Sequence, residues 1–215
     1  MRRLTPKSRR LSKKFAEKVA VVGQASDDER ESSDFTNKPL KVLAFDEARF
    51  GLINWHRQTL LPERLSSALR RQPHLRVDLP LRCTRSHHGR EFCLYLPGMD
   101  GMCFEEFLGH LGEIYAEYRL VVVLDGAPSH TSKEIELPEN VSVLPLPSYS
   151  PELNPVERWF QEFRRTLANR VFETIESLQD ALTRVLEPYW QEPARLRSLT
   201  GFAWWTEAID ALCHQ

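Results

Sequence analysis

The chain has 215 residues, 41% hydrophobic, 10% aromatic and 27% charged, a balance that supports a globular core and excludes wholesale disorder, collagen and coiled-coil architectures. A net charge of −1 excludes a uniformly basic or acidic protein, although the charge is unevenly distributed. Four cysteines with no C-x-x-C pair predict reduced thiols in a cytoplasmic protein, and the purest apolar run, Leu120–Leu124, is too short to cross a bilayer, so no membrane partner is expected.

Met1–Ala20 carries eight Lys or Arg against the single acid Glu17, and Asp27–Asp34 reverses the sign. This basic arm is either a solvated terminus or a non-specific grip on phosphates. Leu11, Phe15, Val19 and Val22 recur at helical spacing within Lys7–Val22, and Gln24–Lys38 reads as a polar linker. Val42–Phe45 is a buried strand ending at Asp46, and Glu91–Pro97 is a further strand. Cys103–Tyr118 shows helical periodicity through Phe104, Phe107, Leu108, Leu111, Ile114 and Tyr115. Leu120–Leu124 is a strand ending at Asp125, and Val141–Leu146 another.

Asn154 followed by Pro155 signals a helix start, with Val156, Trp159, Phe160, Phe163 and Leu167 on the apolar face. Thr174 caps the next helix, which turns Ile175, Leu178, Leu182, Val185 and Leu186 inward. This order of strands and helices predicts an α/β or α+β domain with a mixed sheet. The expected organisation is a basic arm and linker over residues 1–40, a main domain over 41–190 with an atypical stretch at 58–90, and a helical tail over 191–215.

Two apolar strands that each end in a carboxylate provide a natural cation site, because ligands gather at the carboxyl ends of strands in open α/β sheets. Asp46 and Asp125 fit that pattern. Glu157, three residues after the Asn154 cap, is a third candidate, although turn, cap and helix-dipole roles account for such acids equally well. Three clustered carboxylates repel one another unless Mg²⁺ or Mn²⁺ neutralises them, and such hard ions suit phosphodiester chemistry.

The words around these acids are more specific. Phe45-Asp46-Glu47-Ala48-Arg49-Phe50-Gly51, Leu124-Asp125-Gly126-Ala127-Pro128-Ser129-His130 and Pro147-Ser148-Tyr149-Ser150-Pro151-Glu152-Leu153-Asn154-Pro155-Val156-Glu157-Arg158-Trp159-Phe160 resemble the DDE transposases of bacterial insertion sequences related to the Tc/mariner elements. The resemblance covers about Lys41 to Ala181. It implies a ribonuclease H-like fold, a mixed sheet flanked by helices, with Asp46, Asp125 and Glu157 as the catalytic, metal-holding triad and two Mg²⁺ (or Mn²⁺) ions. It also implies DNA, both element ends and target, as substrate: water cleaves a phosphodiester and the freed 3′-hydroxyl attacks the target. A homodimer or a separately encoded DNA-binding subunit is the implied assembly. The 31 residues between Asp125 and Glu157 are slightly fewer than the family's usual spacing.

Other residues have plainer readings. Glu47 points to the opposite face of the strand from Asp46 and reads as a surface acid or a supporting one. His130 reads as a turn residue before it reads as a DNA contact. Arg158, Arg164, Arg165 and Arg170 suit either a solvated helix face or a DNA backbone, while Trp204 and Trp205 are expected to pack on the last helix.

Gln58–His88 departs from the family pattern: it contains seven Leu and six Arg but no Gly or Lys, and it lacks strand alternation where the second and third strands belong. Codons compatible with Gln58–Ala68, read one nucleotide later, encode a family-like segment, which suggests a frameshift near Gln58 compensated near Gly89. The expectation is a disrupted strand region and partial disorder; the alternative is a surface helix over Leu60–Leu69 and a substitute edge strand over Leu75–Leu81, its length limited by Pro73 and Pro80. No helix-turn-helix reader of element ends precedes Lys41. Two alternatives to a working transposase follow: a degenerate, inactive remnant that binds DNA or another subunit, and a ribonuclease H-like nuclease without strand transfer.

Overall fold

The computed structural model describes residues 38–52, 78–86, 91–125, 135–147 and 153–202, together with residues 17, 205, 206 and 209. Apart from Glu17, the amphipathic segment Lys7–Val22 lies outside the described residues, as do His130 and Trp204.

Five strands form one sheet: β1 Leu40–Gly51, β2 Asp78–Ser86, β3 Glu91–Tyr95, β4 Arg119–Leu124 and β5 Val141–Pro145, in the spatial order β3-β2-β1-β4-β5. β1 pairs antiparallel with β2 and parallel with β4, and β4 pairs parallel with β5. Both faces of the central strands are covered, which accounts for their nearly continuous apolar runs. From β1, Val42, Ala44, Ala48 and Phe50 enter one core, while Leu43 and Phe45 enter the other, as the two-residue period requires.

Helix α1, Gly101–Ile114, covers one face with Phe104, Phe107, Leu108 and Leu111. Asp100 caps its start by accepting from the Cys103 N–H at 2.9 Å. The helix stops short of the expected Tyr118 because the Asn140 amide, from the turn before β5, donates to the carbonyls of Gly112, Tyr115 and Tyr118 at 3.0, 3.3 and 3.3 Å. Nearby, the buried Lys41 places Nζ 4.1 Å from the Tyr118 ring centroid and 4.7 Å from that of Tyr115, so aromatic faces replace part of its hydration.

The opposite face carries α2 Pro155–Leu167, α3 Ile175–Gln191 and α4 Pro193–Thr200. Trp159, Phe160, Phe163 and Leu167 of α2 are fully buried against the sheet. Thr174 and Ser177 form a reciprocal cap at the start of α3. Leu196 of α4 and Trp205 close the same core, Trp205 as expected from its bulk.

Two expectations are corrected. The segment expected to have lost its strand supplies β2, which lies inside the sheet and pairs with β1 on one side and β3 on the other, so the ladder groups of β1 are not orphaned there. The thiols are not all reduced: Cys93 is disulfide-bonded, whereas Cys103 is in no disulfide. On the backbone, Cys93 stands opposite Cys83 across the β2–β3 ladder, a short separation set by strand pairing that spacing along the chain does not reveal.

Candidate active site

The parallel ladder between β1 and β4 runs to the pair Ala44 and Val123. Asp46 and Asp125 each follow two residues later, so the period of two directs both toward the face that Ala44 and Val123 line. The same face is covered by α2, whose first turn carries Glu157. The helix begins there for local reasons: Asn154 accepts from the Val156 N–H at 3.0 Å, Pro155 suits the first helical position, and Glu157 complements the positive end of the helix dipole.

These elements bring the carboxyl groups of Asp46 and Glu157 close enough for each to feel the other's charge. Asp46 is half-buried and accepts from the Glu47 N–H through Oδ1 at 2.8 Å. Its pKa is pushed from 3.8 up to about 8, first by burial, then by the proximity of Glu157 and Asp125; the Glu47 N–H opposes the rise. Burial among like charges thus favours the protonated form of Asp46. Asp125, at the tip of β4, is exposed and reaches Asp46 through its electric field.

On the solvent side, Arg164 Nη1 donates to Glu157 Oε1 at 3.3 Å, with 41% and 31% of the two side chains exposed. Seven residues are two helical turns, which places Arg164 and Glu157 along one side of α2. Sequence reasoning left Arg164 among the residues of a solvated face or DNA track, although this spacing was a usable signal. Arg158 does face outward, over the Phe202 ring at 5.5 Å, while Arg165 pairs with Glu162 at 2.7 Å.

Among the described residues, no three His, Cys, Asp or Glu side chains stand close enough to form a preassembled metal cage. The donor chemistry nevertheless fits a hard divalent cation. All the candidate donors are carboxylate oxygens, the ligand type that such an ion takes.

A family model described as DDE superfamily endonuclease matches residues 41–179. A curated relative, an uncharacterized protein of Sinorhizobium fredii, is 29% identical over 118 residues, which is 54% of this chain and 87% of its own length. Among solved structures, a Mos1 transposase in a paired-end complex with its left transposon end matches at a TM-score of 0.53 and 18% identity, over 99% of this chain and 64% of the Mos1 chain. The chain therefore spans less than two thirds of that transposase. The catalytic domain of Mos1 mariner transposase matches at a TM-score of 0.51 and 16% identity, with 98% of this chain and 96% of that domain covered. The shared architecture is the ribonuclease H-like mixed sheet flanked by helices.

Proposed function

The chain belongs to the DDE superfamily endonucleases, and from that premise we propose that residues 41–190 are the catalytic domain of a Tc/mariner-type transposase, with Asp46, Asp125 and Glu157 as its metal ligands and catalytic acids. The observation that carries this reading is the nearness of the Asp46 and Glu157 carboxyls, close enough for their charges to interact, on the face to which Asp125 also projects. Acids gathered so closely are costly to maintain, and a cation site gives that arrangement a purpose.

The substrate is DNA: a phosphodiester at an element end is hydrolysed, and the resulting 3′-hydroxyl attacks a target phosphodiester. When bound, two Mg²⁺ or Mn²⁺ ions would supply Lewis-acid polarisation and the positive charge that the three acids lack. The chain's own residues prepare the site. The Glu47 N–H orients the Asp46 carboxyl, Asp46 gives up its proton when it becomes a ligand, and Arg164 steadies Glu157 from the solvent side. Asp125 is exposed at the tip of β4. We place the reaction in the cytoplasm, and the active assembly includes either a second copy of the chain or a separately encoded DNA-binding subunit; the mass of the complex formed on an end duplex distinguishes these.

Asp125→Ala is the test variant, because an exposed side chain is removed at little cost to the fold. With Mn²⁺ and a labelled element-end duplex, the wild type is expected to nick the DNA and join the cut end to target. The variant is expected to lose more than the roughly 10–100-fold that removal of an outer-shell partner costs. Equal background cleavage by both would overturn the reading in favour of a non-catalytic remnant. Hydrolysis without joined products would favour a nuclease.

A further inference from the structure

Asn154 is only 5% exposed, and its side chain makes two short bonds with different parts of the fold. Oδ1 accepts from the Val156 N–H at 3.0 Å, within its own helix turn, while Nδ2 donates to the Phe45 carbonyl of β1 at 2.9 Å. The partners dictate the orientation of the amide, because a backbone N–H only donates and a carbonyl only accepts. An ordinary helix cap needs the acceptor alone, and Ser, Thr or Asp would serve. The second bond is additional, and a carboxamide suits both because its acceptor and its donor sit on separate atoms, whereas a hydroxyl has a single, shorter-reaching oxygen.

The positions joined are telling. Phe45 immediately precedes Asp46, and it lies one residue beyond the last pair of the β1–β4 ladder, where β1 starts to leave its parallel neighbour. Asn154 stands three residues before Glu157. A single buried side chain therefore spans from the strand that bears one acid to the helix turn that bears the other, across 109 residues of sequence.

Resting on the function proposed above, we propose that Asn154 is a positioning residue that sets the spacing of Asp46 and Glu157 by tying the start of α2 to β1. The cap bond fixes the helix to the carboxamide, the Phe45 bond fixes the carboxamide to the strand, and the two acids inherit their separation from that pair of bonds. Loss of the Nδ2 donor leaves the helix capped but frees it to shift against the strand.

Asn154→Ser and Asn154→Thr each keep a cap acceptor and withdraw the Nδ2 donor, because their single, shorter hydroxyl is engaged at the cap. On the full chain, both are expected to melt within a few degrees of the wild type, yet to bind Mn²⁺ at least about tenfold more weakly by calorimetry, the range in which outer-shell partners act. Cleavage is expected to fall in kcat more than in KM. A second measurement needs neither metal nor DNA: in EDTA at pH 9, where Asp46 is ionised, Asp46→Asn relieves its repulsion by the neighbouring acid, and the resulting rise in melting temperature is expected to shrink in the Asn154→Ser background. Wild-type Mn²⁺ affinity in both Asn154 variants, or melting shifts that simply add, would overturn the proposal. If the wild type itself neither binds Mn²⁺ nor cleaves DNA, the functional reading fails, and the melting comparison still decides the role of Asn154.

Discussion

At the scale of single residues, Asp46 makes the sharpest statement. Its proton leaves near pH 3.8 in the unfolded chain and near 8 in the folded one. Between these values the folded state binds more protons, so stability that is present below pH 3.8 is lost as pH rises through 8 in the metal-free protein. Asp46→Asn removes this dependence: with EDTA, its denaturation midpoint is expected to stay level from pH 5 to 9 and to exceed that of the wild type at pH 8. Equal slopes for the two proteins would refute the assignment. Arg164 acts in a different sense. Its pair with Glu157 is partly exposed and is worth at most about 1 kcal/mol, but the guanidinium repels a cation. Arg164→Ala is therefore expected to tighten Mn²⁺ binding a few-fold at low salt, with the gain fading as ionic strength rises. The acids themselves were legible in the sequence, from strand ends and motif words. The raised pKa was not, because it depends on burial and on charges far along the chain.

At the scale of elements, α2 carries the argument, since it brings Glu157 to the sheet. Phe163 lies at ring-centroid distances of 5.2 Å from Trp159, 5.8 Å from Phe160 and 6.2 Å from Phe50 of β1. Phe163→Ala is expected to cost about 3–5 kcal/mol in urea denaturation, as truncation of a fully buried aromatic does, and to weaken Mn²⁺ binding as the helix loosens. Val156, Trp159, Phe160, Phe163 and Leu167 were readable because a helix buried on one face repeats at 3.6 residues, and the Asn154 and Thr174 caps because cap chemistry is local. The end of α1 was not readable: Asn140, which takes up its last carbonyls, lies on a different element. β2 was anticipated only as the less favoured alternative, a substitute edge strand over Leu75–Leu81, whereas it runs over Asp78–Ser86 inside the sheet. Its Leu- and Arg-rich stretch has no clean alternation, and the strand is specified by neighbours that fill both of its edges, a context in which pairing outweighs intrinsic preference.

For the whole molecule, the proposed site would link cation uptake to proton release. At pH 7 Asp46 holds its proton, so Mn²⁺ binding is expected to release about one proton, detectable as a binding enthalpy that varies with the ionisation enthalpy of the buffer. Apparent affinity should then climb by up to about tenfold per pH unit and level off near pH 8. An enthalpy independent of buffer would separate the cation site from Asp46. The fold makes this linkage possible by joining two parallel strand ends, one exposed and one enclosed, beneath a helix start that adds a third acid.

The sequence by itself determined the order of most elements, their buried faces, two helix caps and the α/β class, and singled out the three acids proposed as the site, because periodicity, capping and motif words act over a few residues. Tertiary structure alone decided that the atypical segment supplies an inner strand, that Cys93 is oxidised, that Arg164 rests on Glu157, and that Asn154 reaches back to Phe45. Each of these depends on groups distant in the chain being brought within bonding range and partly removed from water, and both conditions arise only once the sheet and its covering helices have assembled.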